Sequence, residues 1–122
     1  MRDYNVFIRK KTEGLINNYE ELNYKKSIID NLPKDSNYIV GNSLPIRHLD
    51  IILNKNIECN FIGNRGLSGI DGNISIASGY SKFSRSKTYL DIGDLAFFHD
   101  IGSLINAVKH SKNLTIVVNN NN

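Results

Sequence analysis

The sequence has almost none of the features that mark disulfide-stabilised, zinc-binding or membrane proteins. Cys59 is its only cysteine, which excludes a disulfide framework or a zinc cluster within one chain. No apolar run approaches the roughly 18 residues that a membrane span needs, and the first residues lack the apolar core of a signal peptide. We therefore expect a soluble protein with no membrane span, in a reducing compartment.

Blocks of like charge are also lacking. The chain carries a formal net charge of +3 and has a pI near 9.0, but its basic residues are scattered and no aromatic side chains interleave with them. A nucleic-acid partner is therefore not expected. With 122 residues, of which 40% are hydrophobic and 22% charged, the chain has the size and composition of one soluble globular domain.

What the sequence does contain is an alternation of helical and strand patterns. A helical pattern within residues 12–31 ends before Pro33. Strands are predicted over residues 38–40, 57–62, 88–92 and 114–118. Helices are predicted after the first three strands, one capped by Ser43, one opened by the Gly-rich residues 63–72 and one over residues 96–109. Such an alternation favours a three-layer α/β sandwich with a mostly parallel sheet.

The last predicted strand bears on the extent of the domain. Residues 114–118 form a continuous run rich in β-branched side chains, which is typical of a central parallel strand covered on both faces. The sequence stops where a further helix should follow this strand, which indicates a truncated domain. We therefore predict a linker and a helix from a preceding region over residues 1–33, and a partial domain over residues 34–122.

Polar residues follow the last two predicted strands. Asp94 comes after the third strand and Asn120 after the fourth, 26 positions later (120 − 94). In a parallel sheet this spacing places both side chains at the same carboxyl edge, where open α/β sheets bind ligands. Asp94 alone would more often cap the next helix, and single asparagines favour turns. A carboxylate and an amide oxygen together, beside a helix N-terminus, favour a Mg²⁺ ion that holds a diphosphate.

Two further segments follow the first two predicted strands. The first contains Ser43 and Arg47, and the second, residues 64–72, combines Arg65 with several glycines. Paired guanidinium groups near one sheet edge suit an anionic, carboxylate-bearing substrate. The glycines permit close approach of a ligand to the backbone, although the segment matches neither a Walker A loop nor a dinucleotide-binding fingerprint. A tight strand-to-helix turn capped by Ser68 is the alternative.

Four motifs in this order, GNSLPIR (41–47), NRGLSGIDG (64–72), GDL (93–95) and NN (119–120), resemble the C-terminal, diphosphate-binding domain of thiamine-diphosphate enzymes. The more specific resemblance is to the 2-succinyl-5-enolpyruvyl-6-hydroxy-3-cyclohexene-1-carboxylate (SEPHCHC) synthases, and it extends from about Tyr38 to Asn121. That family decarboxylates 2-oxoglutarate on thiamine diphosphate and adds the product to isochorismate, in menaquinone and phylloquinone biosynthesis. The resemblance implies a truncated thiamine-diphosphate-binding fold and a transferase (carboligase) activity.

The resemblance also implies roles by position. The ligands of Mg²⁺ or Mn²⁺ would be Asp94, Asn120 and the backbone carbonyl of Asn122. The residues that contact carboxylates of substrate and intermediate would be Ser43, Arg47 and Arg65. The cofactor-binding set would be Ser68, Gly69, Ile70, Gly93, Asp94, Leu95 and Asn120, with Ile70 as the apolar wedge under the thiazolium ring. No catalytic residue is implied, because the family's cofactor-activating glutamate belongs to a pyrimidine-binding domain without a counterpart here.

The same resemblance implies small-molecule substrates, a homodimer in the intact enzyme, and the bacterial cytoplasm or the plastid stroma as location. The chain alone is expected to be inactive, as a partial sequence, the product of a degraded gene or one subunit of a split enzyme. Two alternatives stay open. Another thiamine-diphosphate 2-oxo acid decarboxylase or synthase would keep Asp94 and Asn120 without needing Arg47 and Arg65. A non-catalytic α/β module that binds a phosphate ligand is the second.

Overall fold

The computed structural model describes residues 19–53, 57–64 and 69–121. Within these ranges the chain alternates between helices and strands. The helices are α1 (Glu20–Asp30), α2 (Leu44–Ile52), α3 (Asn73–Phe83), α4 (Asp94–His99) and α5 (Leu104–His110), with a short 3₁₀ helix at Ile101–Ser103 between the last two. The strands are β1 (Ser36–Val40), β2 (Cys59–Gly63), β3 (Thr88–Gly93) and β4 (Leu114–Asn119).

The four strands form one sheet in the order β2-β1-β3-β4, and every neighbouring pair is parallel. The chain passes from β1 outward to β2 and then crosses to the other side of β1 to form β3. The strand order therefore reverses between β1 and β3. Open α/β sheets bind ligands beyond the carboxyl ends of the strands at such a reversal.

Helices cover both faces of the sheet. On β1, Tyr38 and Val40 pack against α1 and α2 in one buried cluster, whereas the intervening Ile39 packs with Leu90 of β3 and with Ile74 of α3 in a second cluster. Successive side chains of a strand point to opposite faces, so each cluster belongs to one face. The predicted three-layer α/β fold with a parallel sheet is confirmed.

The predicted helix over residues 96–109 is wrong in one respect, because the helix is interrupted near its middle. The first helix ends at His99, and a 3₁₀ turn precedes α5. At the break the Asp100 carboxylate accepts a hydrogen bond from the Ser103 hydroxyl at 2.5 Å, and Gly102 is a weak helix former. Local side-chain hydrogen bonds of this kind compete with the continuous helical ladder.

The position of β4 also differs from the prediction. In the part of the chain that the structure describes, β4 has β3 as its only neighbour, and Val118 is 40% exposed. The expectation of a central strand covered on both faces is therefore wrong for the described residues. The division of the chain at residue 33 stays a prediction. Among the described helices, none is long and apolar enough to cross a membrane.

Candidate functional site

A cavity of about 710 Å³ opens at the carboxyl edge of the sheet. Its walls come from the loops after β1, β3 and β4, from the segment before α3, and from α1 and α2. Seven residues selected from the sequence line it together: Ser43, Gly69, Ile70, Gly93, Asp94, Leu95 and Asn120. Three other selected residues, Arg65, Ser68 and Asn122, lie outside the described residues.

Asp94 and Asn120 leave the sheet side by side. Gly93 of β3 and Asn119 of β4 are register partners, so the next residue of each strand emerges at the same edge. Asp94 is half-buried and Asn120 is exposed. The side-by-side placement predicted from their 26-residue spacing is therefore observed, whereas their roles as metal ligands stay a prediction.

The donor atoms at this edge fit a hard cation that is coordinated partly by the protein and partly by a phosphate. No group of three or more His, Cys, Asp or Glu suited to a metal occurs in the described parts of the chain. Mg²⁺ in phosphate-binding sites commonly uses only one or two carboxylates and completes its octahedron with water and phosphate oxygens. One carboxylate, from Asp94, and one amide oxygen, from Asn120, match that pattern.

The loop after β1 has an unusual backbone at Ser43. This residue occupies the N-cap position of α2, with φ 71° and ψ −130°, and its side chain makes no capping hydrogen bond. The predicted cap position is therefore correct, but the hydroxyl does not cap the helix. Its neighbour Asn42 donates a hydrogen bond from Nδ2 to the Gly69 carbonyl at 3.2 Å, which connects this loop to the segment before α3.

A chain of side-chain amides fixes the segment before α3. Asn64 Nδ2 donates to Asn73 Oδ1 at 2.7 Å, and Asn73 Nδ2 donates to the Ile70 carbonyl at 2.8 Å. The Ile70 side chain is 42% exposed and faces the cavity as an apolar surface. The helix begins after Gly72, with φ 76°, whereas Ser68, the alternative cap, lies outside the described residues.

Arg47 is the one described site residue that does not line the cavity. It lies on α2 one turn after Ser43, and it is exposed. Asp100, at the break between α4 and α5, also accepts a hydrogen bond from the Ile74 backbone amide at 2.6 Å. Its carboxylate thus satisfies an amide in the first turn of α3.

A buried charged network borders the cavity, and two of its members, Lys25 and Asn119, line the cavity wall. The sequence patterns above did not predict this network. Asp91 of β3 is fully buried, and its Oδ2 lies 2.7 Å from Lys25 Nζ. The Tyr38 hydroxyl donates to the same oxygen at 2.7 Å, and Asn119 Nδ2 donates to Oδ1 at 2.5 Å. Burial, and then the negative charge of Asp91, raise the pKa of Tyr38 far above its ordinary value, so the phenol remains a donor.

His48 also lines the cavity, and its side chain is 16% exposed. Burial, and then the positive charge of Lys25, lower the pKa of His48, whereas the Glu21 carboxylate acts in the opposite direction. His48 Nε2 lies 3.8 Å from that carboxylate. The imidazole is therefore held towards its neutral form at the cavity wall.

No family model matches the chain, but several curated relatives are similar to it. Three of them are 2-succinyl-5-enolpyruvyl-6-hydroxy-3-cyclohexene-1-carboxylate synthases. The chain is 44% identical over 91 residues to the protein of Lysinibacillus sphaericus, 42% over 107 residues to that of Staphylococcus haemolyticus, and 45% over 94 residues to that of Desulfitobacterium hafniense.

These alignments cover 74%, 88% and 76% of this chain but only 16%, 19% and 17% of the three relatives. The chain thus spans less than a fifth of the length of these three curated relatives. Over that stretch the resemblance that the motifs predicted is confirmed, and the chain corresponds to a segment of the SEPHCHC synthase family.

Proposed function

We propose that this chain is the Mg²⁺- and diphosphate-binding part of a SEPHCHC synthase, a thiamine-diphosphate-dependent transferase. One observation carries the proposal. Asp94 and Asn120 follow a register pair, Gly93 and Asn119, and line one cavity with Ile70, at the reversal of strand order where open α/β sheets bind ligands. The names of the relatives support the same assignment.

The described residues suit distinct tasks in that site. The Asp94 carboxylate and the Asn120 amide oxygen would hold Mg²⁺ or Mn²⁺, and the backbone carbonyl of Asn122 would be the third protein ligand. Gly69 and Gly93 carry no side chain where the backbone borders the cavity, so a diphosphate could approach closely. The exposed Ile70 side chain would support the cofactor ring from below.

Thiamine diphosphate supplies the carbanion chemistry when bound, and the protein supplies position and charge. Ser43, Arg47 and Arg65 would bind the carboxylates of 2-oxoglutarate and isochorismate, because charged hydrogen bonds hold such groups well. A pyrimidine-binding domain with its glutamate, in a homodimer, would complete the active site. The isolated chain would therefore be inactive. The products of the whole enzyme would be precursors of menaquinone or phylloquinone.

A chimera tests this function. Residues 38–121 would replace the aligned segment of the Staphylococcus haemolyticus relative, which is 42% identical over 107 residues. We expect the chimera to form SEPHCHC from 2-oxoglutarate and isochorismate. Arg47→Ala in the chimera should lower kcat/KM about tenfold or more, since a hydrogen bond to a charged group contributes about 1.5–3 kcal/mol, while cofactor affinity is retained.

The exposed Arg85, which precedes β3 on the opposite edge of the sheet, provides the matched control. Arg85→Ala removes the same charge away from the cavity and should leave kcat/KM unchanged. A folded chimera that binds thiamine diphosphate but forms no product would contradict the proposed activity. Loss of cofactor binding in Arg47→Ala would contradict the assignment of Arg47 to the substrate.

A further inference from the structure

We propose that Asp91 is a positioning residue whose buried carboxylate sets the spacing between the strand ends that carry Asp94 and Asn120. The inference rests on the proposed function, because it concerns the geometry of the same metal site. Lys25, Tyr38 and Asn119 are the partners that hold this carboxylate in place. We refer to Asp91 with these three partners as the carboxylate brace.

Within the carboxylate brace, the single side chain of Asp91 links several elements of the fold. Asp91 lies on β3, three residues before Asp94, and is fully buried. Its Oδ2 accepts from the Tyr38 hydroxyl of β1 and faces Lys25 of α1, both at 2.7 Å. Its Oδ1 accepts from Asn119 of β4 at 2.5 Å. One carboxylate thus connects three strands and a helix that borders the cavity.

The contact with Asn119 lies next to the proposed metal ligands. Asn119 Nδ2 donates to Asp91 Oδ1 and also approaches the Ile92 carbonyl at 3.2 Å. The Asn119 side chain of β4 is therefore hydrogen-bonded to β3 at two residues, Asp91 and Ile92, immediately before Gly93. Because Asn120 follows Asn119 in the chain, these bonds also restrict the backbone from which the Asn120 side chain extends.

The arrangement of charge fits a positioning role better than a purely stabilising one. Lys25 Nζ lies within ion-pair distance of Asp91 but makes no well-oriented hydrogen bond to any described residue. It therefore balances the charge and leaves the carboxylate lone pairs to Tyr38 and Asn119. A buried ion pair is often no more stabilising than well-packed apolar residues of similar volume. The ion pair with Lys25 is therefore not by itself a stability reason for a carboxylate here.

The decisive variant removes the charged half of the brace and leaves Asn119 in place. Lys25→Met combined with Asp91→Leu replaces the buried ion pair with apolar side chains, so the fold should be retained. The thermal midpoint should fall, because the buried Tyr38 hydroxyl loses its acceptor. The probe is Mn²⁺, titrated by electron paramagnetic resonance into the full chain at a fixed concentration of thiamine diphosphate. We expect the Kd for Mn²⁺ to rise about 10- to 100-fold, as is typical when groups that orient metal ligands are removed.

The hyperfine pattern of bound Mn²⁺ should also change at saturation, because the ligand geometry is altered. A merely structural role would change the thermal midpoint but not this spectrum. Asn119→Leu, which removes the hydrogen-bond donor, should give the same change. Ser111→Ala is the matched control. It removes the hydrogen bonds of the Ser111 hydroxyl to the Ser78 hydroxyl at 2.9 Å and to the Ser78 carbonyl at 3.5 Å, before the amino end of β4, and should leave both the Kd and the spectrum unchanged.

The outcomes separate the inference from the proposed function. If the wild-type chain binds no Mn²⁺ with thiamine diphosphate, the proposed function is contradicted and the inference is overturned with it. If the wild-type chain binds but the double variant binds equally well, with the same spectrum, only the brace is overturned. An effect in Asn119→Leu without one in the double variant would mean that Asn119 is itself a ligand, which also overturns the brace.

Discussion

Asp91 and Lys25 show at the residue scale what the sequence reveals and what it hides. Asp91 interrupts an otherwise apolar strand, and Lys25 occupies a place in the apolar stripe of α1 between Leu22 and Ile29. A buried charge requires a partner, so both residues could have been singled out from the sequence. Their pairing could not, because 66 residues (91 − 25) separate them and only the packed fold brings them together.

Asp94 and Asn120 are the opposite case. Their placement at neighbouring strand ends follows from the 26-residue spacing and the parallel sheet alone, and the register pair Gly93 and Asn119 agrees with it. The strand-helix-strand unit between them has a fixed direction, so no long-range packing detail was needed. Arg47 was placed near the edge by the same logic, but its side chain is exposed on α2 and does not line the cavity.

His48 provides a prediction for pH dependence. Its pKa is lowered in the folded chain, first by burial and then by Lys25, whereas the unfolded value is about 6.5. The folded state therefore binds fewer protons than the unfolded state at acidic pH, so the free energy of unfolding is maintained above pH ~6.5 and falls as the pH drops below it. Urea unfolding between pH 7.5 and 5 would measure this, and His48→Gln should reduce the slope.

The exposed His110 is the control for that series. His110→Gln should keep the wild-type slope, because its side chain is not buried. An unchanged slope in His48→Gln would show that another group accounts for the acid sensitivity.

At the scale of elements, hydrophobic periodicity was sufficient to predict the four strands of the described residues within two residues of their observed ends. The break at Asp100 was missed although Gly102 is a weak helix former, because the second bond that fixes the Asp100 carboxylate comes from the Ile74 amide of α3. The edge position of β4 was missed for a related reason. A run of β-branched side chains reports how well a strand fits a covered sheet, and it does not report how many neighbours the strand has.

The start of α2 provides a prediction at this scale. Ser43 has φ 71° and ψ −130°, a region that costs a non-glycine residue about 1–3 kcal/mol. Glycine would remove this strain at an entropic cost of about 0.5–1 kcal/mol. We expect Ser43→Gly to raise the free energy of unfolding by about 1 kcal/mol in urea titrations.

Ser43→Ala lacks the same hydroxyl but keeps the Cβ atom, so it should give no such gain. If alanine and glycine had equal effects, the backbone at residue 43 would not be strained. The strained residue borders the cavity, which agrees with the tendency of backbone strain to occur at functional sites.

At the scale of the whole molecule, the sheet order places the cavity. The reversal between β1 and β3 opens a gap beyond the carboxyl ends of the strands, and the loops that carry Ser43, Ile70 and Asp94 meet around it. The sequence predicted this convergence because parallel strands end at one edge. It could not predict the volume of the cavity or the contribution of α1, since both depend on how that helix packs against β1.

The most direct test of the central claim is calorimetric titration of thiamine diphosphate into the full chain with and without Mg²⁺. The account predicts binding that requires Mg²⁺ and that is abolished by Asp94→Ala, because the substitution removes the only carboxylate of the proposed ligand set. Asp50→Ala, at an exposed position on α2, should bind as the wild-type chain does. Equal binding by the wild-type chain and Asp94→Ala, or binding that does not depend on Mg²⁺, would contradict the account.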